Sequence, residues 1–320
     1  MTPDISVILT SYNFRPFLRA AVDSLLGQRS TRLRELIVID DASPDRSHEV
    51  LADIVDPRLK LIVNPVNLGA AASITHGFAL AGGTYVARYD GDDLWEPDAL
   101  ESLALALDAH PEATVAYGDI RCIDPAGVVG HEGIQRPPGA ACRDEFGLLL
   151  ERHYTCAPAM LSRRAAWTAL LPWPERFRSG PGDWYLNLRL AQLGAFVYVD
   201  RVLAHYRVHA QGMHETFVLS RSGEAGMRWI LDEMLPQARP GQLAASAAAI
   251  RARHLCGFAN AYYGRGMEDD ARRLYCEVLC LRPTALLARG VLWPALATLT
   301  VGRARYERWK VWLRRRRPQR

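Results

Sequence analysis

Three carboxylates stand together in Tyr85-Val-Ala-Arg-Tyr-Asp90-Gly-Asp92-Asp93-Leu-Trp-Glu-Pro97, where a short β-rich run gives way to a helix signal. Alternate residues of an extended segment share a side, so Asp90 and Asp92 can face one point. Anions held that close repel unless they are neutralised, and a hard divalent cation bridged to phosphate oxygens neutralises them well. The pattern therefore suits chemistry on a phosphorylated donor. A solvated acidic loop would also explain an isolated DxDD, so the neighbouring segments must decide.

Those segments alternate in type. Apolar runs of strand length, mostly β-branched or aromatic, fall at Ile5–Ser11, Leu36–Asp40, Leu59–Val63, Tyr85–Tyr89 and Val115–Tyr117. Helical composition fills Arg15–Leu26, Ser43–Val55, Gly69–Leu80 and Pro97–Ala109, with start signals at Ser43-Pro44-Asp45 and Pro97-Asp98. Repeated β-α-β order with apolar strands predicts an α/β fold: a mostly parallel sheet with helices on both faces. In such sheets ligands bind beyond the carboxyl ends of the strands. Ser11-Tyr12-Asn13, Asp40-Asp41 and Asp90–Asp93 all fall there.

From about residue 119 the alternation loosens. Asp124-Pro-Ala-Gly127 reads as a turn and Arg136-Pro-Pro-Gly-Ala as a flexible loop. A helix near Asp183–Leu193, stopped by Gly194, precedes strand-like Phe196–Val199 and Val202–Val208. Beyond about 216 the chain is Ala/Arg/Leu-rich and helical, and Tyr262–Pro283 resembles the second half of one tetratricopeptide unit. A single copy does not make a solenoid.

Composition narrows the partners. The 320 residues are 49% hydrophobic and 23% charged, which describes a soluble globular chain of one large domain or two moderate ones. Nine Lys/Arg against Glu307 alone lie in residues 301–320, while the rest of the chain holds 30 basic and 34 acidic residues. The basic character belongs to the tail, which argues against a nucleic-acid surface on the body and for an anionic partner at the C-terminus.

The apolar run Val291–Val301 is too short to span a bilayer. Followed by Tyr306, Trp309, Trp312 and Arg314–Arg317, residues 291–320 fit an interfacial helix on an anionic membrane leaflet, or a docked terminal helix with a frayed basic end. No signal pattern precedes Ile5, and the six cysteines form no CxxC pair. The expected location is the cytoplasm, with reduced thiols and peripheral contact with the inner face of the cell membrane. Cys276 and Cys280, one helical turn apart, are expected in a core rather than on a metal.

Six ordered motifs remain: Thr10-Ser-Tyr-Asn13, Ile39-Asp-Asp-Ala-Ser43, Asn67-Leu-Gly69, Asp90-Gly-Asp-Asp93, Gly182-Asp183-Trp184 and Tyr206-Arg-Val-His209. With them, residues 4–215 resemble the GT-A-fold glycosyltransferases of family 2. The resemblance implies a GT-A domain over 1–215, with a nucleotide-sugar-binding half at 1–118 and an acceptor half at 119–215, ahead of the helical region 216–320. It implies that Thr10, Tyr12, Asn13, Asp41, Asn67, Gly69, Asp90 and Asp93 bind the donor.

In that scheme Tyr12 offers a face to the base, and Asp41 accepts the ring N–H of a uracil-like base or caps a helix. Asp92, with Asp90 and His209, holds Mn2+ or Mg2+, and Asp93 backs these ligands or caps the next helix. Asp183 follows Gly180-Pro-Gly182 as the base that deprotonates the acceptor hydroxyl, although Asp before Trp-Tyr-Leu would also start a helix. His214 reads as an ordinary loop residue.

The implied activity is an inverting, non-processive, hexosyltransferase-type transfer from a UDP-type sugar. The implied acceptor is a glycan or a lipid-linked sugar in cell-surface polysaccharide or glycolipid assembly.

Two departures bear on this. Ser73-Ile74-Thr75 stands where many relatives carry Ala-Arg-Asn, which leaves the donor open, and Gly182 stands where many carry Glu. The Gln-x-x-Arg-Trp of processive synthases is broken, with Ala225 ahead of Arg228-Trp229. Rival α/β enzymes fit less well. No GxGxxG follows the first strand, GxxxxGK[ST] is absent, and the DxD lies on the fourth strand rather than the first. Ser11-Tyr-Asn-Phe-Arg15 is not the Gly-rich, basic loop of a nucleotide-sugar pyrophosphorylase. A degenerate module that binds sugar nucleotide or glycan without turnover is the remaining alternative; retention of Asp90, Asp92, Asp93 and Asp183 argues against it.

Overall fold

A computed structural model describes residues 4–132, 139–155, 157–171, 173, 174, 177, 182–209, 213–303, 305 and 308. The chain divides into two compact units, Met1–Gly212 and Met213–Arg320.

The first unit is built on a ten-stranded sheet. Its strands are β1 (Ile5–Ser11), β2 (Leu33–Asp40), β3 (Leu59–Val63), β4 (Tyr85–Asp90) and β5 (Leu94–Trp95), then β6 (Ala113–Ile123), β7 (Val129–Glu132), β8 (Cys142–Arg143), β9 (Met160–Arg163) and β10 (Ala195–Arg207). The order is β3-β2-β1-β4-β9-β6-β10-β5, with β7 beside β6 and β8 beside β10. Among the described residues six α-helices accompany it: α1 (Arg15–Leu26), α2 (Ala70–Leu80), α3 (Ala99–Ala109), α4 (Phe146–Glu151), α5 (Arg164–Thr168) and α6 (Gly182–Leu193).

The apolar strands sit where their composition demands. All seven residues of β1 are buried, because it lies between β2 and β4, parallel to both, with helices on either face. Helix α1 covers one face with Leu18, Ala21, Val22 and Leu25, a three-four spacing that makes one apolar stripe. Helix α2 covers the other so closely that a Cβ on Gly77 would lie 2.4 Å from Ile8 Cγ2. Strand β3, at the sheet edge, is half exposed, as an edge strand with one covered face should be.

The structure extends or corrects several elements. Val115–Tyr117 lies in the first half of the eleven-residue β6, and the two runs near 196–208 are a single strand, β10, with register shifts near Val199 and Val202. Strand β9, four residues long and antiparallel, joins the β4 and β6 sides of the sheet. Helix α3 begins after Pro97 and Asp98, and the Asp98 carboxylate pairs with Arg29 rather than capping.

The expected helix over Ser43–Val55 is only a 3-10 turn, Ser47–Leu51. Side-chain oxygens take N–H groups a helix would have used: Asp40 accepts from Ser43 and His48, and Asp45 accepts from Ser47. Arg46, at φ 57°, completes the break. The Asp124–Gly127 turn is present, with Gly127 N–H donating to the Asp124 carbonyl at 2.9 Å. Most of the Arg136-Pro-Pro loop lies outside the described residues.

The second unit is helical: α7 (Met213–Leu219), α8 (Ser222–Met234), α9 (Ala247–Arg265), α10 (Glu268–Leu281) and α11 (Leu292–Leu296), then a π-helical turn at Ala297–Val301. His214 therefore lies on a helix, not a loop. Ser246 caps α9, and Gly266 at φ 79° turns the chain into α10.

The core stripe of α10 is Ala271, Leu274, Tyr275 and Val278. Cys276 and Cys280 fall off that stripe and are exposed, so neither packs in a core. No helix among the described residues is long and apolar enough to cross a membrane. In the 291–301 run Val291, Ala295, Ala297 and Thr298 are buried, whereas Trp293 and Leu296 face outward. The aromatic and basic residues expected to follow lie mostly outside the described residues.

Candidate active site

Three strand ends and one returning strand build the site. Register pairs Thr10 with Asp90 and Ser11 with Asp40, so the carboxyl ends of β1, β2 and β4 finish level with one another. After Asp90 the chain turns: Gly91 N–H donates to the Thr10 carbonyl at 3.0 Å. Asp90 and Asp92 are therefore neighbours because of a turn, not because an extended strand continues through both. Strand β5 then pairs antiparallel with β10 at Ala204 and His205. That pairing delivers Arg207 and His209 to the aspartate turn.

Arg207 fastens the turn. Its backbone N–H donates to Asp93 Oδ1 at 2.8 Å, and its Nε donates to the Asp92 carbonyl at 2.8 Å. Its Nη1 reaches the carbonyls of Asp124 and Pro125, while the guanidinium lies over the Phe17 ring. His209 Nε2 sits 2.9 Å from Asp92 Oδ2 with its ring against Phe14 and Phe17. The His209 side chain is 5% exposed, so the nitrogen is held towards one carboxylate.

This acidic group is short of cations. Asp93 Oδ2 is buried with no hydrogen-bond partner. Burial and the neighbouring Asp92 and Asp90 charges push the Asp93 carboxyl well above the usual range. Burial also pushes Asp92 up and Asp90 adds to this, against the opposing pull of His209. An orphaned oxygen, repelling carboxylates and an imidazole nitrogen form a donor set that a hard dication would satisfy.

Arg88 links this group to Asp183. It lies two residues before Asp90 on the same strand face and donates to Asp90 Oδ2 at 2.9 Å. Thr10 Oγ1 donates to the other Asp90 oxygen at 3.4 Å. Arg88 also lines a cavity of about 20 Å³ with Asp183, Ser162, Asn187 and Trp167, room for about one water. Asp183 is at the start of α6, and its carboxylate accepts the Trp184 N–H at 2.8 Å. The preceding Gly180 and Pro181 lie outside the described residues. Half-buried His153 stacks on Trp184; desolvation pushes its imidazole below the ordinary range, Asp183 opposes this and Arg88 reinforces it.

The remaining expected residues lie along the same sheet edge. Tyr12 is 43% exposed at the end of β1. Asn13 takes φ 61°, and its N–H donates to Ser43 Oγ. Asp41 is buried and holds the 64–69 loop: its oxygens accept from Asn64 Nδ2, Leu68 N–H and Gly69 N–H at 2.8–2.9 Å. It does not cap a helix. Asn67 is exposed in that loop, and Gly69 takes φ 86° ahead of α2.

Arg88, Arg207 and His153 were not singled out from sequence. Arg88 was legible from strand alternation alone, since it shares a face with Asp90. The other two depend on long-range pairings, Arg207 with Asp93 and His153 with Trp184.

Comparisons with known proteins agree with this architecture. The model of glycosyl transferase family 2 matches residues 6–169. The chain belongs to that family. This member is 31% identical over 214 residues to an uncharacterized protein of Mycobacterium tuberculosis, covering 65% of this chain and 60% of that one. It is 33% identical over 107 residues to the succinoglycan biosynthesis protein ExoO of Rhizobium meliloti, covering 33% and 30%. The chain thus spans less than two thirds of the length of these relatives. Residues 1–349 of S. aureus TarS, solved with UDP-GlcNAc, superpose with a TM-score of 0.56 at 15% identity, covering 99% of this chain and 93% of that one. The family 2 member has the GT-A fold.

Proposed function

We propose that this family 2 member is an inverting, metal-dependent, non-processive transferase that moves one sugar from a UDP-type donor to an acceptor hydroxyl. The observation that carries the reading is the run His209–Asp92–Asp90–Arg88–Asp183 along one edge of the sheet. Asp92, Asp90 and His209 would hold a hard cation of the Mn2+ or Mg2+ class. When bound, such an ion neutralises the leaving diphosphate.

Asp183 takes the proton of the acceptor hydroxyl as that oxygen bonds to the anomeric carbon and the bond to the diphosphate oxygen breaks. One displacement inverts the anomeric configuration. Arg88 keeps Asp90 oriented and separates its charge from that of Asp183. Exposed Tyr12 offers its ring to the base. Asp41 shapes the loop of Asn67 and Gly69 and keeps room for one further donor, such as a uracil N–H. Thr10, Asn13 and Asp93 complete the donor side.

Residues 1–118 form the donor half in this reading, and 119–215 the acceptor half. The UDP-GlcNAc complex of TarS supports a UDP-type donor, and the name of ExoO supports an acceptor in cell-surface polysaccharide or glycolipid assembly. Outward-facing Trp293 and Leu296, next to the basic tail, support peripheral contact with an anionic membrane.

Calorimetry with a panel of nucleotides, with and without Mn2+, tests class and base together. UDP should bind in a Mn2+-dependent way and the other nucleotides more weakly. Equal affinity for every nucleotide, with no dependence on Mn2+, contradicts the reading.

A further inference from the structure

At the amino end of β6, on the sheet edge opposite the aspartate turn, three ligand types meet. His110 Nδ1, a Glu112 carboxylate oxygen and Cys142 Sγ all lie within 4.8 Å of one another. His110 Nδ1 is 3.0 Å from Glu112 Oε1, and Cys142 Sγ donates to the same oxygen at 3.3 Å. In a tetrahedral site with metal–ligand bonds of about 2.0–2.3 Å, ligand atoms stand roughly 3.3–3.6 Å apart. The two spacings to Glu112 are within a few tenths of an ångström of that, and His110 and Cys142 stand within 4.8 Å of each other.

The three residues come from two segments whose backbones are already fixed: the α3–β6 connection carries His110 and Glu112, and β8 carries Cys142. The His110 carbonyl accepts from Ala113 N–H at 3.0 Å and Arg163 Nη2 at 3.2 Å. The Glu112 carbonyl accepts from Ala195 N–H at 3.3 Å, and Cys142 sits opposite Val197 in the β8–β10 pair. Little chain ordering therefore remains to oppose closure of a metal site. The Glu112 side chain is 59% exposed, which leaves a path for an ion and a place for a water ligand.

We propose that His110, Glu112 and Cys142 form a second metal site, for a borderline-soft dication of the zinc class, with water as fourth ligand. Sulfur, nitrogen and oxygen donors favour such an ion over Mg2+ or Mn2+, which prefer oxygen. The chemistry is thus distinct from that of the aspartate turn. Binding replaces the thiol proton with a metal–sulfur bond and releases that proton to solvent; thiolate and Glu112 together neutralise the ion. Without metal, burial and then the hydrogen bond to Glu112 push the Cys142 thiol up to about 11, so it is a poor free nucleophile. The consequence is structural: the ion staples the two-residue strand β8 to the start of β6.

Co2+ titration of the full chain reads the site directly through thiolate-to-cobalt charge-transfer absorption. One Co2+ per chain should produce the band, and Zn2+ should displace it. Cys142→Ser should abolish it. Glu112→Gln, a change on an exposed side chain, should weaken Co2+ affinity by at least about tenfold, the scale at which even outer contacts act. The band should survive in Asp92→Ala, which separates this site from the donor site, and in the Cys276→Ser/Cys280→Ser double variant. No band in the parent, or a band unchanged in Cys142→Ser and Glu112→Gln, overturns the proposal. That result would leave Glu112 as an ordinary surface acceptor of two hydrogen bonds.

Discussion

Asp93 in the sheet unit and Glu224 in the helical unit are both buried carboxylates, and their surroundings turn them to opposite ends. Glu224 is saturated. Arg228 Nε and Arg273 Nη1 donate to one oxygen at 2.9 Å; Arg273 Nη2 and the Tyr262 hydroxyl donate to the other at 2.7 and 3.0 Å. Burial works against ionisation there, but these donors outweigh it and hold the carboxyl below its ordinary range. Asp93 has one backbone donor, one bare oxygen and two like-charged neighbours, and is pushed the other way. A satisfied buried charge stabilises a fold, whereas an unsatisfied one stores a demand that a cation or ligand can meet.

The sharpest test of this contrast is catalytic. Asp183→Asn should lower transfer by about 10²–10⁴-fold while donor affinity, read by calorimetry, stays near that of the parent. Asp92→Ala should abolish Mn2+-dependent donor binding yet leave the metal-free melting temperature unchanged or higher, since it removes a repelling charge. Unchanged Mn2+-dependent binding in that variant would break the functional half of the comparison.

Smaller effects probe the structural half. Glu224→Ala should destabilise the helical unit by about 2 kcal/mol in denaturant titration, because it takes the acceptor from the buried Tyr262 hydroxyl and one carboxylate each from Arg228 and Arg273, which keep Glu277 and Asp270. Asp93→Asn should raise the metal-free melting temperature, the opposite sign. If both variants shift stability the same way, the two carboxylates do not differ as argued.

The pH dependence follows from the direction at Glu224. A carboxyl whose folded pKa is depressed contributes stability above its unfolded value, about 4.3, and loses it as pH falls through the folded value. Glu224→Gln should therefore flatten the acid limb of a stability–pH curve below about pH 5 and leave the neutral region parallel. Smallest of all, deletion of residues 303–320 should reduce co-sedimentation with anionic vesicles without altering donor affinity. Unchanged co-sedimentation would rule out the basic anchor.

Much of the sheet unit was legible because its signals are local. Continuous apolar runs at 5–11 and 36–40 predict buried parallel strands, and polar clusters at their carboxyl ends predict where a ligand sits. The 43–55 segment was misread because Asp40 and Asp45 act as backbone acceptors there, and composition does not reveal which N–H a carboxylate will take. Cys276 and Cys280 were misplaced for a related reason: one-turn spacing fixes their common face, while the neighbouring stripe decides whether that face is buried.

By itself, the order of residues determined the α/β class, the carboxyl-end placement of Thr10 to Asn13, Asp41 and Asp90 to Asp93, and the basic tail. Each follows from period, polarity or charge within a few turns of chain. The family resemblance already groups Asp92 with His209; only the tertiary structure decided that Arg207 fastens the aspartate turn and that Arg88 spans from Asp90 to the cavity of Asp183. Those contacts depend on which strands pair and in what register, and pairing is set by the packing of the whole sheet rather than by any one segment.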